Sequence, residues 1–278
     1  MSATNFDLFR QRLSLVSLAS GSGGNASVVT RGDAALLIDC GISCKRVRQR
    51  MAQAGLSADS LKGILVTHEH SDHVAGVRVT AKRLGLPVYM ARAAAEAHPF
   101  PPEVDVRLFE PGEVFSVAGF EVDPYCIPHD TVDPVGFVVS LGGQRVGICT
   151  DLGSVTRLVI DKLRQCSVVL MEFNHDVDLL LDGPYPWSLK QRVRSRHGHL
   201  SNEQAGALLA ALGDGPLESV LLAHLSEKNN RPDLALAAAR GALESAHKKP
   251  IRIEILAQDG PGPLVTVGGD FNSDTASC

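Results

Sequence analysis

The sequence predicts an α/β fold, and three observations carry that expectation. Short apolar runs of strand length, such as residues 13–18, 63–67 and 168–173, alternate with amphipathic helical patterns. Metal-competent side chains (His68, His129, Asp151 and His224) follow directly on such runs, and in α/β sheets sites gather at the carboxyl ends of strands. The chain has 278 residues, 44% of them hydrophobic and 21% charged, enough to bury one large core or two small ones.

In chain order, residues 13–18 read as the first strand. Arg10 and Arg12 precede them, but the apolar run is short, broken by serines and without a small-residue cleavage site, so it is not a secretion signal. The turn Ser20-Gly21-Ser22-Gly23-Gly24-Asn25 lets backbone approach a ligand closely. Residues 26–30 and 34–38 make a hairpin around Arg31-Gly32-Asp33. Ser43 caps a helix that reaches Ala54, stops at Gly55 and buries Val47 and Met51. Its other faces carry Lys45, Arg46, Arg48 and Arg50, expected to be solvated or to face phosphate. After the strand at 63–67, Val74, Val77, Ala81 and Leu84 outline a helix stopped by Gly85. A strand at 87–90, a helical turn through Ala97, and strands at 106–109, 114–117, 120–128, 135–141 and 145–150 follow. A helix begins near Ser154 and runs to residue 165, and 168–173 is a continuous apolar strand. Residues 184–196 read as irregular and hold the only tryptophan, Trp187, with Lys190, Arg192, Arg194 and Arg196. Helices at 201–212 and 232–247 flank a strand at 219–223, with His247 favouring the dipole at its helix end, and strands at 251–256 and 264–267 close the chain. Residues 1–267 are expected to form one domain and 268–278 a flexible tail.

A net charge of −4 gives no global attraction to nucleic acid, although bound cations and local basic clusters escape that sum. Six cysteines without a Cys-x-x-Cys pair suit a reduced, cytoplasmic protein with free thiols. No stretch approaches the length of a membrane span.

The densest chemistry lies in Thr67-His68-Glu69-His70-Ser71-Asp72-His73, on the turn between a buried strand and a helix N-terminus. His68 and His70 alternate onto one side, and the turn brings Asp72 and His73 beside them. Imidazoles and a carboxylate without thiolate suit Zn²⁺ or Mn²⁺, and Fe less well. With His129, Asp151 and His224 there are seven candidate ligands, enough for two metals sharing a carboxylate.

The His-x-His-x-Asp-His pattern resembles the metallo-β-lactamase fold superfamily, and the resemblance covers nearly the whole chain. It implies a four-layer αβ/βα sandwich of two mixed sheets with the site along one edge. By that resemblance His68, His70 and His129 hold one metal, Asp72, His73 and His224 the other, and Asp151 bridges them. Within the superfamily, residues 18–25, 36–41, 172–178 and 196–202 are similar to the YycJ/WalJ-type subfamily, associated with 5′-to-3′ exonuclease action on double-stranded DNA. Gly198-His199-Leu200-Ser201 also resembles the Gly-His-Ser-Thr motif of tRNase Z, with an inserted leucine and without a long arm for gripping tRNA. DNA is therefore favoured over RNA as partner, and a small-molecule ester or lactone hydrolase on the same metals is the other alternative. Ser201 and Gln204 form a capping box, which sets His199 just before a helix N-terminus where an anion is favoured. The resulting reading is a two-metal phosphodiesterase in which Asp72 ligates and orients the nucleophile and His199 serves the leaving group. Asn25, Ser201, Arg194 and Arg196 are the candidate substrate contacts, Trp187 stacks on a base or packs, and Glu172 and His175 steady the metal histidines.

Overall fold

Strands buried on both faces need cover on both sides, and two stacked mixed sheets with helices outside each supply it. The structure, a computed structural model, describes residues 12–213, 215–246 and 249–269. The expectations for Arg10, His247 and residues 270–278 fall outside these. In the first sheet, β1 (Ser14–Ala19), β2 (Ala26–Arg31) and β3 (Ala34–Ile38) form an antiparallel meander. Helix α1 (Cys44–Gln53) and a 3₁₀ turn (Ala58–Ser60) lead to β4 (Leu61–Leu65), which lies parallel to β3. Helices α2 (Ser71–Val74) and α3 (Val77–Leu84) precede β5 (Val88–Ala91), and α4 (Arg92–Ala97) precedes β6 (Val106–Phe109), both added in parallel.

The second sheet repeats this plan. Strands β7 (Phe115–Val117), β8 (Phe120–Cys126), β9 (Val135–Leu141) and β10 (Gln144–Cys149) are antiparallel. After α5 (Arg157–Leu163) comes β11 (Val168–Glu172), then α6 (Val177–Asp182), α7 (Trp187–Val193) and α8 (Asn202–Ala211). Strand β12 (Ser219–Ala223), helix α9 (Pro232–Ala246) and β13 (Arg252–Ile255) extend the sheet in parallel. Finally β14 (Val265–Thr266) crosses back to pair with β1. The strand orders are β14-β1-β2-β3-β4-β5-β6 and β13-β12-β11-β10-β9-β8-β7.

Strand β11 explains the continuous apolar run in the sequence. Val168 and Leu170 pack into the core between the sheets, while Val169 and Met171 enter a second core with residues of α5, α8 and α9. Burying each such side chain contributes about 1.5–3 kcal/mol, so neither face of the strand tolerates a polar alternation. Among the described residues no helix is long and apolar enough to cross a membrane. Cys40, Cys44, Cys126, Cys149 and Cys166 are free thiols.

The four-layer sandwich expected from the family resemblance is the observed architecture, and several local expectations need correction. The helix after residue 73 is two helices, broken at Ala75-Gly76. There the chain passes so close to the 40–42 loop that a Cβ on Gly76 would sit 1.9 Å from the Ile42 carbonyl oxygen. Residues 184–196 are not irregular throughout: α7 starts behind Pro186 and runs to Val193, and α6 before it is capped by Asp176, whose carboxylate accepts from Leu179 N. Helix α5 begins at Arg157, capped by Thr156, rather than near Ser154. Arg50 does not share the solvated face of α1. It is buried, with Nη1 donating to Leu18 O at 2.9 Å and Nη2 to Asp259 Oδ1 at 2.9 Å.

Candidate metal centre and cleft

The carboxyl ends of β3, β4, β8, β10, β11 and β12 meet at one edge of the sandwich, where the candidate ligands and their supports gather. Three of these exits use left-handed backbone at non-glycine residues: Asp39 (φ 57°) after β3, Asp151 (φ 56°) after β10 and His224 (φ 55°) after β12. Such backbone costs of order 1 kcal/mol per residue and persists where surrounding contacts over-determine it, as at functional sites.

The first sheet brings His68, His70, Asp72 and His73, and the second brings His129, Asp151 and His224. His68, His70 and His129 form one group of converging ligand atoms, and Asp72, His73, Asp151 and His224 another. His68 Nε2 lies 3.2 Å and His129 Nε2 3.3 Å from His70 Nδ1. Asp151 stands between the groups, with Oδ2 3.1 Å from His73 Nε2 and Oδ1 3.8 Å from His129 Nε2.

The outer nitrogens of these rings identify what the inner ones present. Asp39 Oδ2 can only accept, and His73 Nδ1 is 2.8 Å from it, so the proton is on Nδ1. The Thr67 hydroxyl donates to the same oxygen at 2.8 Å and therefore accepts from His68 Nδ1 at 3.0 Å. His129 Nδ1 donates to Gly198 O at 3.1 Å, and His224 Nδ1 to Glu172 Oε1 at 2.9 Å. Four imidazoles thus turn Nε2 lone pairs inward, toward two carboxylates. His224 Nε2 and Asp151 Oδ2 are buried without a hydrogen-bond partner among the described residues. The Asn25 amide reaches His73 Nε2 at 3.0 Å and Asp72 Oδ2 at 3.2 Å, but the remaining lone pairs and anions call for a cation, and nitrogen and oxygen donors held from behind are what divalent metals require. Where a cation does not answer these carboxylates, a proton does. Burial opposes a charge on His224, yet the Asp151 carboxylate pushes its imidazole up to about 10. Burial likewise raises the Asp72 carboxyl, but the neighbouring His224 and His73 imidazoles hold it well below the ordinary range.

Four residues reinforce this frame. Glu172 is fully buried, and its Oε1 accepts from His199 Nδ1 at 2.7 Å as well as from His224. Its Oε2 accepts from the backbone N–H groups of Leu152 (2.9 Å) and Leu200 (3.1 Å). Burial raises this carboxyl and the neighbouring histidines, His199 first, bring it down to about 2. Glu69 accepts from the Thr131 hydroxyl at 2.7 Å and Val132 N at 3.0 Å, tying the loop after β8 to the histidine-rich turn. Asn230, buried between loops, donates to Phe173 O and Asn202 Oδ1, while Asn174 donates to His224 O. Sequence reading anticipated Glu172 and missed Asp39, Thr67, Glu69 and Asn230.

A cleft of about 310 Å³ opens over the cluster, lined among others by Asp72, Asp151, Arg192 and His199. His199 lies before α8 as its capping box predicts, half-buried, with Nδ1 on Glu172. The other expectations are redirected. Asn25 does not line the cleft; it is buried and donates to Asp72 Oδ2 at 3.2 Å, so it braces a candidate ligand. Ser201 is buried as the cap of α8 and donates to Glu203 Oε2 at 2.7 Å. Arg194 and Arg196 are exposed, and neither lines the cleft. Lys190 is buried, its Nζ donating to Leu181 O at 2.5 Å. Trp187 is exposed rather than packed. His175 is buried with Nδ1 unpartnered among the described residues and makes no bond to the cluster histidines, so of the expected pair only Glu172 steadies them.

Gly41 sets the position of Asp72 from behind, since a Cβ on it would lie 1.7 Å from the Asp72 carbonyl oxygen. Gly41→Ala is expected to destabilise the fold by about 3 kcal/mol, because backbone meets backbone and neither yields. Gly241→Ala, in the middle of α9 with open space around it, is expected to stabilise by about 0.5–1 kcal/mol. Urea unfolding midpoints of the two variants check the pair; equal midpoints would contradict the contact.

Residues 19–216 match the model of the Metallo-beta-lactamase superfamily. The chain is 35% identical over 231 residues to exodeoxyribonuclease YycJ of Bacillus anthracis, covering 82% of this chain and 88% of that protein. It is also 35% identical over 225 residues to exodeoxyribonuclease WalJ of Streptococcus pneumoniae serotype 2 (strain D39), covering 78% and 83%. Among solved structures, the metallo-beta-lactamase fold protein YhfI of Bacillus subtilis superposes with a TM-score of 0.69 at 18% identity, over 90% of this chain and 99% of that one.

Proposed function

The chain belongs to the metallo-β-lactamase superfamily and, within it, to the family of the YycJ and WalJ exodeoxyribonucleases, and from that membership we propose a two-metal 5′-to-3′ exonuclease acting on double-stranded DNA. That it is a metal-dependent hydrolase follows from the family itself. The observation that carries the nuclease reading is the cluster of inward lone pairs and carboxylates at the floor of an open cleft, beside a histidine held by a buried glutamate.

In this reading His68, His70 and His129 hold one divalent cation and Asp72, His73 and His224 a second, with Asp151 shared. The donor set favours Zn²⁺ or Mn²⁺. Cations bound there supply Lewis acidity toward the phosphate and lower the pKa of water. The protein's residues do the rest. Asp72, braced by Asn25, orients the water whose oxygen attacks phosphorus. As the P–O bond to the leaving nucleotide breaks, His199 gives its Nε2 proton to that oxygen, while Glu172 holds Nδ1 and offsets the imidazolium charge. Arg194 and Arg196, exposed beyond the cleft, meet the flanking backbone.

Metal-free protein reloaded with Mn²⁺ or Zn²⁺ is expected to release nucleotides stepwise from 5′-labelled duplex DNA. His199→Ala should slow that release by about 10²–10⁴-fold, the usual span of a lost general acid. Absence of cleavage with either metal would refute the DNA reading and turn attention to RNA.

A further inference from the structure

Resting on the nuclease reading above, we propose that Arg192 grips the backbone phosphate next to the scissile one and that Asp130 is its positioning residue. Three carboxylates, Asp72, Asp130 and Asp151, line the cleft, and Arg192 is the one arginine or lysine among the lining residues described. A polyanionic strand entering beside those carboxylates is repelled unless a fixed cation offsets them. Helix α7 selects that cation by its period: Leu189, Arg192 and Val193 share the face that lines the cleft, whereas Lys190 points into the fold and is held by Leu181 O.

Arg192 Nε donates to Asp130 Oδ2 at 2.6 Å, and among the described residues Nη1 and Nη2 have no partner. Half-exposed and fixed along one edge, the guanidinium keeps the two Nη groups for the bidentate geometry that phosphate oxygens accept. Asp130 Oδ1 lies 3.5 Å from His129 Nε2, so Asp130 stands between the metal cluster and the arginine. The scissile phosphate belongs over the cluster, and the group beyond Asp130 meets the phosphate one step along the strand. Arg192 thereby separates a polynucleotide from a small phosphodiester.

The test is steady-state hydrolysis, by the metal-loaded protein, of duplex DNA and of bis(4-nitrophenyl) phosphate, which has no flanking phosphate. Arg192→Ala should raise KM for DNA about 30-fold with kcat within threefold, and reduce the log–log salt slope by about 1. It should leave the small diester unchanged, and Arg192→Lys should recover only part of the affinity. Asp130→Ala should raise KM about fivefold when Arg192 is present and not at all in the Arg192→Ala background, as expected of a residue acting through another. Equal losses on both substrates, or a KM for DNA that Arg192→Ala does not move, would overturn the assignment while leaving the nuclease reading intact. A wild-type protein that hydrolyses the small diester but not DNA would remove the nuclease reading, and this inference with it.

Discussion

Asp151→Ala is expected to lower phosphodiester hydrolysis by about 10⁴-fold and to leave the protein with less than its full complement of metal. Asp151 is the carboxylate common to both halves of the cluster, 3.1 Å from His73, 3.6 Å from His224 and 3.8 Å from His129. It is buried, and Oδ2 has no hydrogen-bond partner among the described residues, so its removal takes away charge without exposing an alternative donor. Alanine also strains the left-handed backbone at this position, by about 1 kcal/mol. Asp151→Asn separates the two effects, since asparagine accepts that backbone and keeps the shape while losing the charge. Both variants should lose metal, read by elemental analysis after dialysis, and both should lose activity on 5′-labelled duplex. An Asp151→Asn protein holding two equivalents and cleaving within tenfold of the parent would show that the two groups do not share this carboxylate.

Glu172→Ala should produce the second large effect, in stability and activity together. Four donors converge on this one carboxylate: the Nδ1 groups of His199 and His224 and the N–H groups of Leu152 and Leu200. Its removal leaves two buried backbone donors unpaired, at about 1–3 kcal/mol each, so the unfolding free energy should fall by about 3–5 kcal/mol. Loss of the support behind His224 should weaken metal binding by about 10–100-fold, and release of His199 should slow turnover further. Glutamine is not a rescue here, because its amide N–H₂ would face donors where an acceptor is needed. Denaturant titration and metal-competition measurements on both variants check this; Glu172→Gln with parental stability would mean that fewer donors meet the carboxylate.

The sequence exposes the metal cluster because its residues are chemically conspicuous and each follows an apolar run. The frame behind the cluster is harder to read. Asp39 carries no ligand spacing; it meets Thr67 and His73 because β3 pairs in parallel with β4, with Ile38 opposite Leu65, and register is not written in local pattern. Asn25 reads as a loop amide for ligand contact, and only the packing of its turn against residue 72 makes it a brace. The basic run 190–196 looks uniform along the chain, yet the period of α7 sends Lys190 inward and Arg192 to the cleft. That helix is legible only once its prolines are seen as its start rather than as a break. Arg50 falls on the buried stripe Cys44-Val47-Arg50-Met51, and its partner Asp259 lies 209 residues away.

The division of the cluster between the sheets has a mechanical consequence. Four candidate ligands hang from the first sheet and three from the second, and each set follows from strands that pair only within their own sheet. Cations held between them would act as rivets across the seam of the sandwich. Opening the two halves would then require breaking coordination as well as exposing the apolar layer. Metal occupancy would thus set how tightly the two halves are clamped together, in proportion to the logarithm of free metal over its dissociation constant. The centre that performs the chemistry would also be a fastener of the fold.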